Sequence, residues 1–112
     1  MNFNILGFMN VIPKTMMVTL QNDAKKHYPF LEGIYNLSTS GKNPKWKIIG
    51  GPHEIESYSG TWRIREYGSN SKIMTEDQSN DQMPDDDNYK WSIWNGTAWV
   101  NTTSEDVKIQ GT

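Results

Sequence analysis

Apolar and polar residues alternate most regularly between residues 46 and 66, and this alternation predicts how three strands pair. Gly50–Gly51 and Ser59–Gly60 divide the stretch into three segments, and glycine supplies the positive φ that two-residue hairpin turns require. Turns at these two places bring one apolar residue from each strand into a single row, Trp46, Ile55 and Ile64. The pattern therefore predicts a three-stranded antiparallel meander with one dry face.

The opposite face of this meander carries charges of alternating sign. In the predicted register they form two rows, Lys45/Glu56/Arg63 and Lys47/Glu54/Arg65. Opposite charges directly across strands contribute about 0.2–1 kcal/mol each, and they help to set the register because a one-residue slip would exchange the two faces. With basic partners on both sides, Glu54 and Glu56 are predicted to form a salt-bridge ladder and not an acid–base catalytic pair.

Further short strands are predicted on both sides of the meander. Residues 14–20 and 31–37 precede it, joined by a polar connection, and we expect no helix anywhere in the chain. After the meander, a three-residue loop pairs Ile64 with Met74 and a four-residue loop pairs it with Ile73. The sequence leaves these two registers open.

A last hairpin is predicted from Asn95–Gly96, the strongest short turn signal in the chain, because it stands between two apolar runs. The pairs that a two-residue turn sets here are Trp94 with Thr97, Ile93 with Ala98 and Trp91 with Val100. Trp94 and Trp99 then lie diagonally together on the face opposite to Trp91 and Ile93. A final strand over residues 105–109 follows.

Together these segments predict an all-β fold of about eight or nine short strands, either a single small antiparallel sandwich or an open barrel. At 112 residues the chain is long enough for one domain. We expect a single β domain over residues 14–112 and an apolar N-terminal arm over residues 1–13, which docks through side chains such as Phe3 and Phe8. Three Trp-x-Ile strand starts at unequal spacings leave a short β-trefoil as an alternative.

Composition excludes several function classes. A net charge of −2 at pH 7 and a pI near 5.6 predict no general attraction to nucleic acid or to anionic membranes. Cysteine is absent, which excludes disulfides, zinc–thiolate sites and cysteine nucleophiles, and no stretch has the length of a transmembrane helix. Basic and aromatic residues interleave at 45–47 and 62–63, but strand alternation points them to opposite faces, which argues against a nucleic-acid groove.

Trp94 and Trp99 are the first candidate site. Two adjacent indoles on one face form a flat aromatic platform that can stack on a sugar ring or anchor a protein partner. The alternative is that both belong to the core, covered by a second sheet or by the arm.

Asp85, Asp86 and Asp87 are the second candidate site, in an acidic loop without a basic residue. Oxygen ligands suit Ca²⁺, although the loop lacks the glycine and the closing glutamate of the familiar calcium-binding loop. The alternatives are a solvated loop and an acidic interaction surface. We expect no other cofactor. No Ser/His/Asp arrangement or phosphate loop is present, so we expect no enzymatic activity.

The segments `EGIYNL`, `PKWKI`, `GTWRI` and `YKWSIWNGTAWV` resemble small tryptophan-rich β-modules of extracellular mosaic and matrix proteins of marine invertebrates. Such modules open with a G-x-Y strand and close with a W…NG..W hairpin, and the resemblance covers about residues 15–110. It implies a secreted, extracellular location and a non-catalytic, structural role.

The sequence therefore predicts a non-enzymatic interaction or scaffold module in a larger extracellular matrix assembly. It would bind protein partners, or other copies of itself, through the arm and the Trp94/Trp99 face. The alternative is a carbohydrate-binding module that uses the same two tryptophans to bind a glycan.

Overall fold

The computed structural model describes residues 12–66, 71–76, 82–103 and 105–112. These residues form nine β-strands, one six-residue α-helix and one 3₁₀ turn, so the all-β prediction is confirmed. The strands are β1 (Thr15–Leu20), β2 (Gly33–Thr39), β3 (Lys45–Ile48), β4 (Glu54–Tyr58), β5 (Thr61–Arg65), β6 (Ser71–Thr75), β7 (Trp91–Trp94), β8 (Trp99–Asn101) and β9 (Val107–Gly111). The helix is α1 (Asn22–His27), and the 3₁₀ turn covers Pro29–Leu31.

All nine strands belong to one antiparallel sheet with the order β8-β7-β6-β5-β4-β3-β2-β1-β9. Strands β1 to β8 follow one another as a meander, and β9 returns to pair with β1 on its free side. The sheet curls into a half-barrel, so of the two architectures predicted the open barrel is the one that forms. Strands β8 and β9 are its two edges.

The predicted register of the central meander is confirmed. Trp46 faces Ile55 and Ile55 faces Ile64, while Glu56 faces Arg63. Ser59–Gly60 forms the expected two-residue turn, and both residues have positive φ, 50° and 85°.

The turn at Gly50–Gly51 is wider than predicted. Ile48 N–H donates to the His53 carbonyl (2.8 Å), so residues 49–52 form a four-residue loop, in which Gly50 has a φ of 78°. Pro52 has no N–H to close a shorter loop. The register is the predicted one all the same, because Lys47 still lies opposite Glu54 and Trp46 opposite Ile55.

One row of apolar side chains crosses most of the sheet on its inner face. In register from β2 to β8 it contains Leu37, Trp46, Ile55, Ile64, Ile73, Ile93 and Val100. Ile64 pairs with Ile73, as the second of the two open registers has it, but a bulge between Ile64 and Arg65 then places Ser71 opposite Arg65, where an unbroken four-residue-loop register would place Lys72. This row is the centre of the core, where Trp46 and Trp62 meet edge to face at 5.9 Å.

Helix α1 corrects the expectation that the connection between the first two strands is not helical. It lies at the upper end of the half-barrel, defined here as the end where β1 finishes, and it buries only Ala24. Tyr28 and Leu31, just after the helix, are also buried and complete the cover of this end. The Tyr35 hydroxyl donates to the Leu31 carbonyl (2.6 Å) and holds the 3₁₀ turn to β2.

The lower end of the half-barrel, where β1 begins, is closed by two chain segments, each bound by a hydrogen bond from a buried indole. Trp46 Nε1 donates to the Pro13 carbonyl (2.8 Å), and Trp62 Nε1 donates to the Gln82 carbonyl (2.8 Å). Pro84 is fully buried beside this closure. The last residue of the predicted arm and the second half of the acidic loop are therefore parts of the folded domain.

Tyr35 makes stability sensitive to alkaline pH. Burial raises the pKa of its hydroxyl above the ordinary value, so its contribution is complete below about pH 10 and is lost as the pH rises further. We expect Tyr35→Phe to lower the free energy of unfolding at pH 8 by about 0.5–1.5 kcal/mol, because the bond to Leu31 is lost. Above pH 10 the variant should lose stability less steeply than the wild type. Urea unfolding between pH 8 and pH 11.5 measures both effects, and equal slopes would contradict this role for Tyr35.

Candidate functional site

Trp94 and Trp99 stand directly opposite each other in the β7–β8 hairpin. The predicted pairing of Trp94 with Thr97 is wrong by two residues, because the loop contains four residues, 95–98. Asn95 N–H donates to the Ala98 carbonyl (3.0 Å), and the Asn95 side-chain oxygen accepts the N–H groups of Thr97 and Ala98, each at 2.9 Å. A shift of two residues leaves every side chain on its predicted face, so the two indoles still share the outer face.

The two rings meet edge to face. Their centroids are 5.7 Å apart and their planes make an angle of 62°, so they do not form the flat platform expected from the sequence. The hydrogen bonds on either side, Asn95 to Ala98 and Thr102 to Trp91, make Trp94/Trp99 a non-hydrogen-bonded pair. Side chains come closest in such pairs, which accounts for the ring contact.

The exposure of the pair favours a contact surface over a core position. Trp99 is 46% exposed and Trp94 is partly buried, whereas Trp91 and Ile93 on the other face are buried. An exposed indole at a sheet edge leaves a large apolar group in water, which is typical of residues that bind a partner.

Tyr28 connects this hairpin to the upper end of the half-barrel. Its hydroxyl donates to the Trp94 carbonyl, and its ring meets Phe30 edge to face at 6.0 Å. Burial, with a further contribution from Glu66, raises the pKa of this hydroxyl, so it remains a donor at neutral pH. Phe30 is 43% exposed, and its ring centroid lies 5.5 Å from that of His53.

Sequence reasoning did not single out Tyr28 or Phe30. Their only local signal is an aromatic pair inside an otherwise polar connection. The contact between that connection and a hairpin 66 residues further along the chain depends on the curl of the sheet.

The charged face of the meander forms one cluster around Glu56. Arg63 Nε donates to Glu56 Oε2 (2.7 Å), while Lys45 Nζ and Arg65 Nη1 each lie 3.7 Å from a Glu56 oxygen. The Arg63 guanidinium also lies 4.0 Å from the centre of the Tyr58 ring. Among the described residues, the ion pairs on this face converge on Glu56 and none within 4.0 Å includes Glu54. Three basic side chains around one carboxylate form a structural ion-pair network.

The acidic loop is described at Glu76 and from residue 82 onwards, and local hydrogen bonds join residues 83–89. Asp86 N–H donates to the Met83 carbonyl (3.0 Å), and the Asp86 carbonyl accepts the Tyr89 N–H (3.2 Å). Asp86 Oδ1 accepts the Asn88 N–H (2.8 Å). In the described part of the chain, no three His, Cys, Asp or Glu side chains come together to hold a metal ion, so the geometry gives Asp85, Asp86 and Asp87 no added support as Ca²⁺ ligands.

Phe3 and Phe8, predicted to dock the arm, lie outside the described residues. Within the described ranges, no helix has both the length and the apolar character that crossing a bilayer requires.

A scan of protein-family models finds no match to this chain, and the searches of curated proteins and of solved structures find none either.

Proposed function

We propose that this chain is a non-enzymatic interaction module that binds a protein partner through the outer face of the β7–β8 hairpin, within an extracellular matrix assembly. The observation that carries the proposal is the exposure of Trp99 beside Trp94 on an edge hairpin. Tryptophan is enriched among residues that dominate binding energy at protein interfaces. The extracellular location rests on the resemblance of the sequence to tryptophan-rich matrix modules.

The position of the pair supports a docking role. The hairpin is anchored from behind by buried Trp91 and Ile93, and its loop is fixed by the Asn95 side chain. Tyr28 holds the Trp94 backbone from the side. The indoles are therefore presented by a preorganised support, which lowers the conformational entropy lost on binding.

Carbohydrate binding is the second candidate, because an exposed indole can also stack on a sugar ring. The angle of 62° between the rings disfavours a sugar chain lying flat across both tryptophans. A glycan would have to use the face of Trp99 alone.

The test compares wild type, Trp99→Ala and a control, Ile49→Ala, which also removes an exposed apolar side chain but from a different loop. Each of the three is used to capture proteins from a matrix extract. The captured protein is then purified separately, and its dissociation constant for wild type and for each variant is measured. We expect Trp99→Ala to weaken that binding about 30-fold, as for a residue worth about 2 kcal/mol, and Ile49→Ala to leave it unchanged. Equal binding by wild type and Trp99→Ala would contradict the proposal.

A glycan array with the same three proteins tests the second candidate. Binding to a glycan by wild type and Ile49→Ala, but not by Trp99→Ala, would replace protein docking with carbohydrate recognition as the function of this face.

A further inference from the structure

We propose that the free edge of β8 pairs with an extended segment of the protein partner, which adds a further strand to the sheet. The segment runs antiparallel to β8, with an apolar residue opposite Val100 and a lysine or arginine towards its amino end. This inference rests on the proposed function, because it names the class of partner and the way in which the β7–β8 hairpin binds it.

The edge of β8 presents backbone hydrogen-bonding groups at two residues. Trp99 forms a non-hydrogen-bonded pair with Trp94, and Asn101 forms the next such pair, because antiparallel pairing alternates at every second residue. The N–H and C=O groups of Trp99 and Asn101 therefore point away from β7. Within the described ranges, these four groups make no hydrogen bond and no strand pairs with this side of β8.

The other edge of the sheet, β9, is much less accessible. Pro84 and two aspartates of the acidic loop line a groove together with β9, and Val107 and Ile109 are only 4% and 7% exposed. All three residues of β8, in contrast, are exposed. An incoming strand can therefore reach β8, whereas the acidic loop stands in front of β9.

The edge of β8 lacks most of the features that keep edge strands from pairing with other chains. Charged side chains, proline and bulges are the usual ones. Residues 95–103 contain no charged residue and no proline, and β7 pairs with β8 without a bulge. Because β8 has only three residues, the added ladder contributes few hydrogen bonds, and side-chain contacts have to supply the rest of the affinity.

Apolar side chains on both faces of β8 are available for these contacts. Val100 is the last residue of the inner apolar row and is 37% exposed, so an apolar partner residue directly opposite it would continue the row. Side chains of a strand alternate between the two faces. The partner residue opposite Trp99 would therefore lie on the outer face, against the exposed indole.

A cleft of about 480 Å³ beyond the end of β8 adds a preference for positive charge. Residues 101–103 form one part of its lining, and its charged side chains are two carboxylates, Glu76 and Asp87, and one amine, Lys90. None of the ion pairs within 4.0 Å among the described residues involves these three. Since residues 101–103 lead from β8 into the cleft, a strand antiparallel to β8 begins there, and a basic residue near its amino end would meet net negative charge.

The probe for the test is a synthetic peptide with blocked ends, Thr-Lys-Thr-Val-Thr-Val-Thr, titrated into the full chain and followed by NMR and amide hydrogen exchange. We expect the N–H groups of Trp99 and Asn101 to shift and to exchange more slowly with the peptide bound. The Val100 N–H, already bonded within the β7–β8 ladder, should be protected with and without it. The same peptide with glutamate in place of lysine should bind about fivefold more weakly, because it meets the carboxylates of the cleft.

Asn101→Pro and Asn101→Ala are the matched protein variants. Both lose the side-chain contact with Ser92 (3.0 Å), but only proline removes the outward N–H, and proline is tolerated at an edge position whose N–H faces solvent. We expect Asn101→Pro to bind the peptide at least about tenfold more weakly than Asn101→Ala does.

Three results would overturn strand addition at β8: no binding of the peptide, equal binding by the two Asn101 variants, or protection of Val107 and Ile109 in place of Trp99 and Asn101. The proposed function is judged separately by Trp99→Ala, which keeps both outward backbone groups of β8. A captured partner that is weakened by Trp99→Ala but not by Asn101→Pro would leave docking through the indoles standing and overturn the added strand. The reverse result would overturn docking through the indoles and support the added strand.

Discussion

Replacing Trp46 by alanine is expected to lower the free energy of unfolding by about 3–5 kcal/mol, the usual cost of removing a fully buried tryptophan. Trp46 is fully buried in the inner apolar row, contacts Trp62 edge to face, and donates its Nε1 proton to the Pro13 carbonyl. The substitution therefore opens a cavity and also releases the segment that closes the lower end of the half-barrel. For a domain whose total stability is about 5–15 kcal/mol, this change threatens folding itself.

Two further variants make the prediction measurable. Trp46→Phe keeps an aromatic ring but removes the donor to Pro13, so we expect it to cost less than Trp46→Ala and to remain folded. Trp99→Ala removes the same kind of side chain from an exposed position and should cost less than about 1 kcal/mol. Urea unfolding followed by far-ultraviolet circular dichroism compares all three without relying on tryptophan fluorescence. Equal costs at positions 46 and 99 would show that Trp46 is not part of the core.

The central meander was predictable because two independent patterns demand the same register. The apolar row fixes which face is buried, and the charges on the other face fix which residue lies opposite which. The loop at Gly50 turned out longer than expected, and the register still held. Local turn chemistry was therefore less decisive here than the two patterned faces.

The C-terminal hairpin shows the limit of the same reasoning. Two registers of this hairpin, one with Trp94 opposite Thr97 and one with Trp94 opposite Trp99, put the same side chains on the same faces. The alternation of apolar and polar residues therefore cannot distinguish them. The choice is made by the Asn95 side chain, whose oxygen accepts two backbone N–H groups and widens the loop. The shared face of the indoles was predictable, but the angle between their rings depends on side-chain rotamers that the sequence does not specify.

Helix α1 and the closure of the two barrel ends could not be predicted from the sequence, for a different reason. The helix has six residues and buries one of them, Ala24, so no helical periodicity can develop. At the lower end, the indoles of Trp46 and Trp62 bind carbonyl groups 33 and 20 residues away in the chain. Such contacts exist only after the sheet has curled, and no local pattern records them.

Replacing Glu56 by glutamine is the second change for which we expect a large effect, a loss of about 2–3 kcal/mol in the free energy of unfolding. The Glu56 side chain is only 6% exposed and that of its closest partner, Arg63, only 14%, so the substitution replaces a charge-assisted, weakly solvated ion pair by a contact between a nearly buried guanidinium and a neutral amide. Lys45 and Arg65 are more exposed and add little, because solvent screens their attraction.

Glu54→Gln is the matched control. It lies on the same strand, changes the net charge by the same amount, and stands between Lys47 and Arg65 in register, yet none of the ion pairs within 4.0 Å among the described residues involves it. We expect it to cost less than about 0.5 kcal/mol. Urea unfolding at low and at high salt measures the difference, which should persist in salt because buried pairs are screened weakly. Equal costs for the two variants would mean that the charged face acts as two similar rows, as the sequence alone suggests, and that the cluster around Glu56 has no special weight.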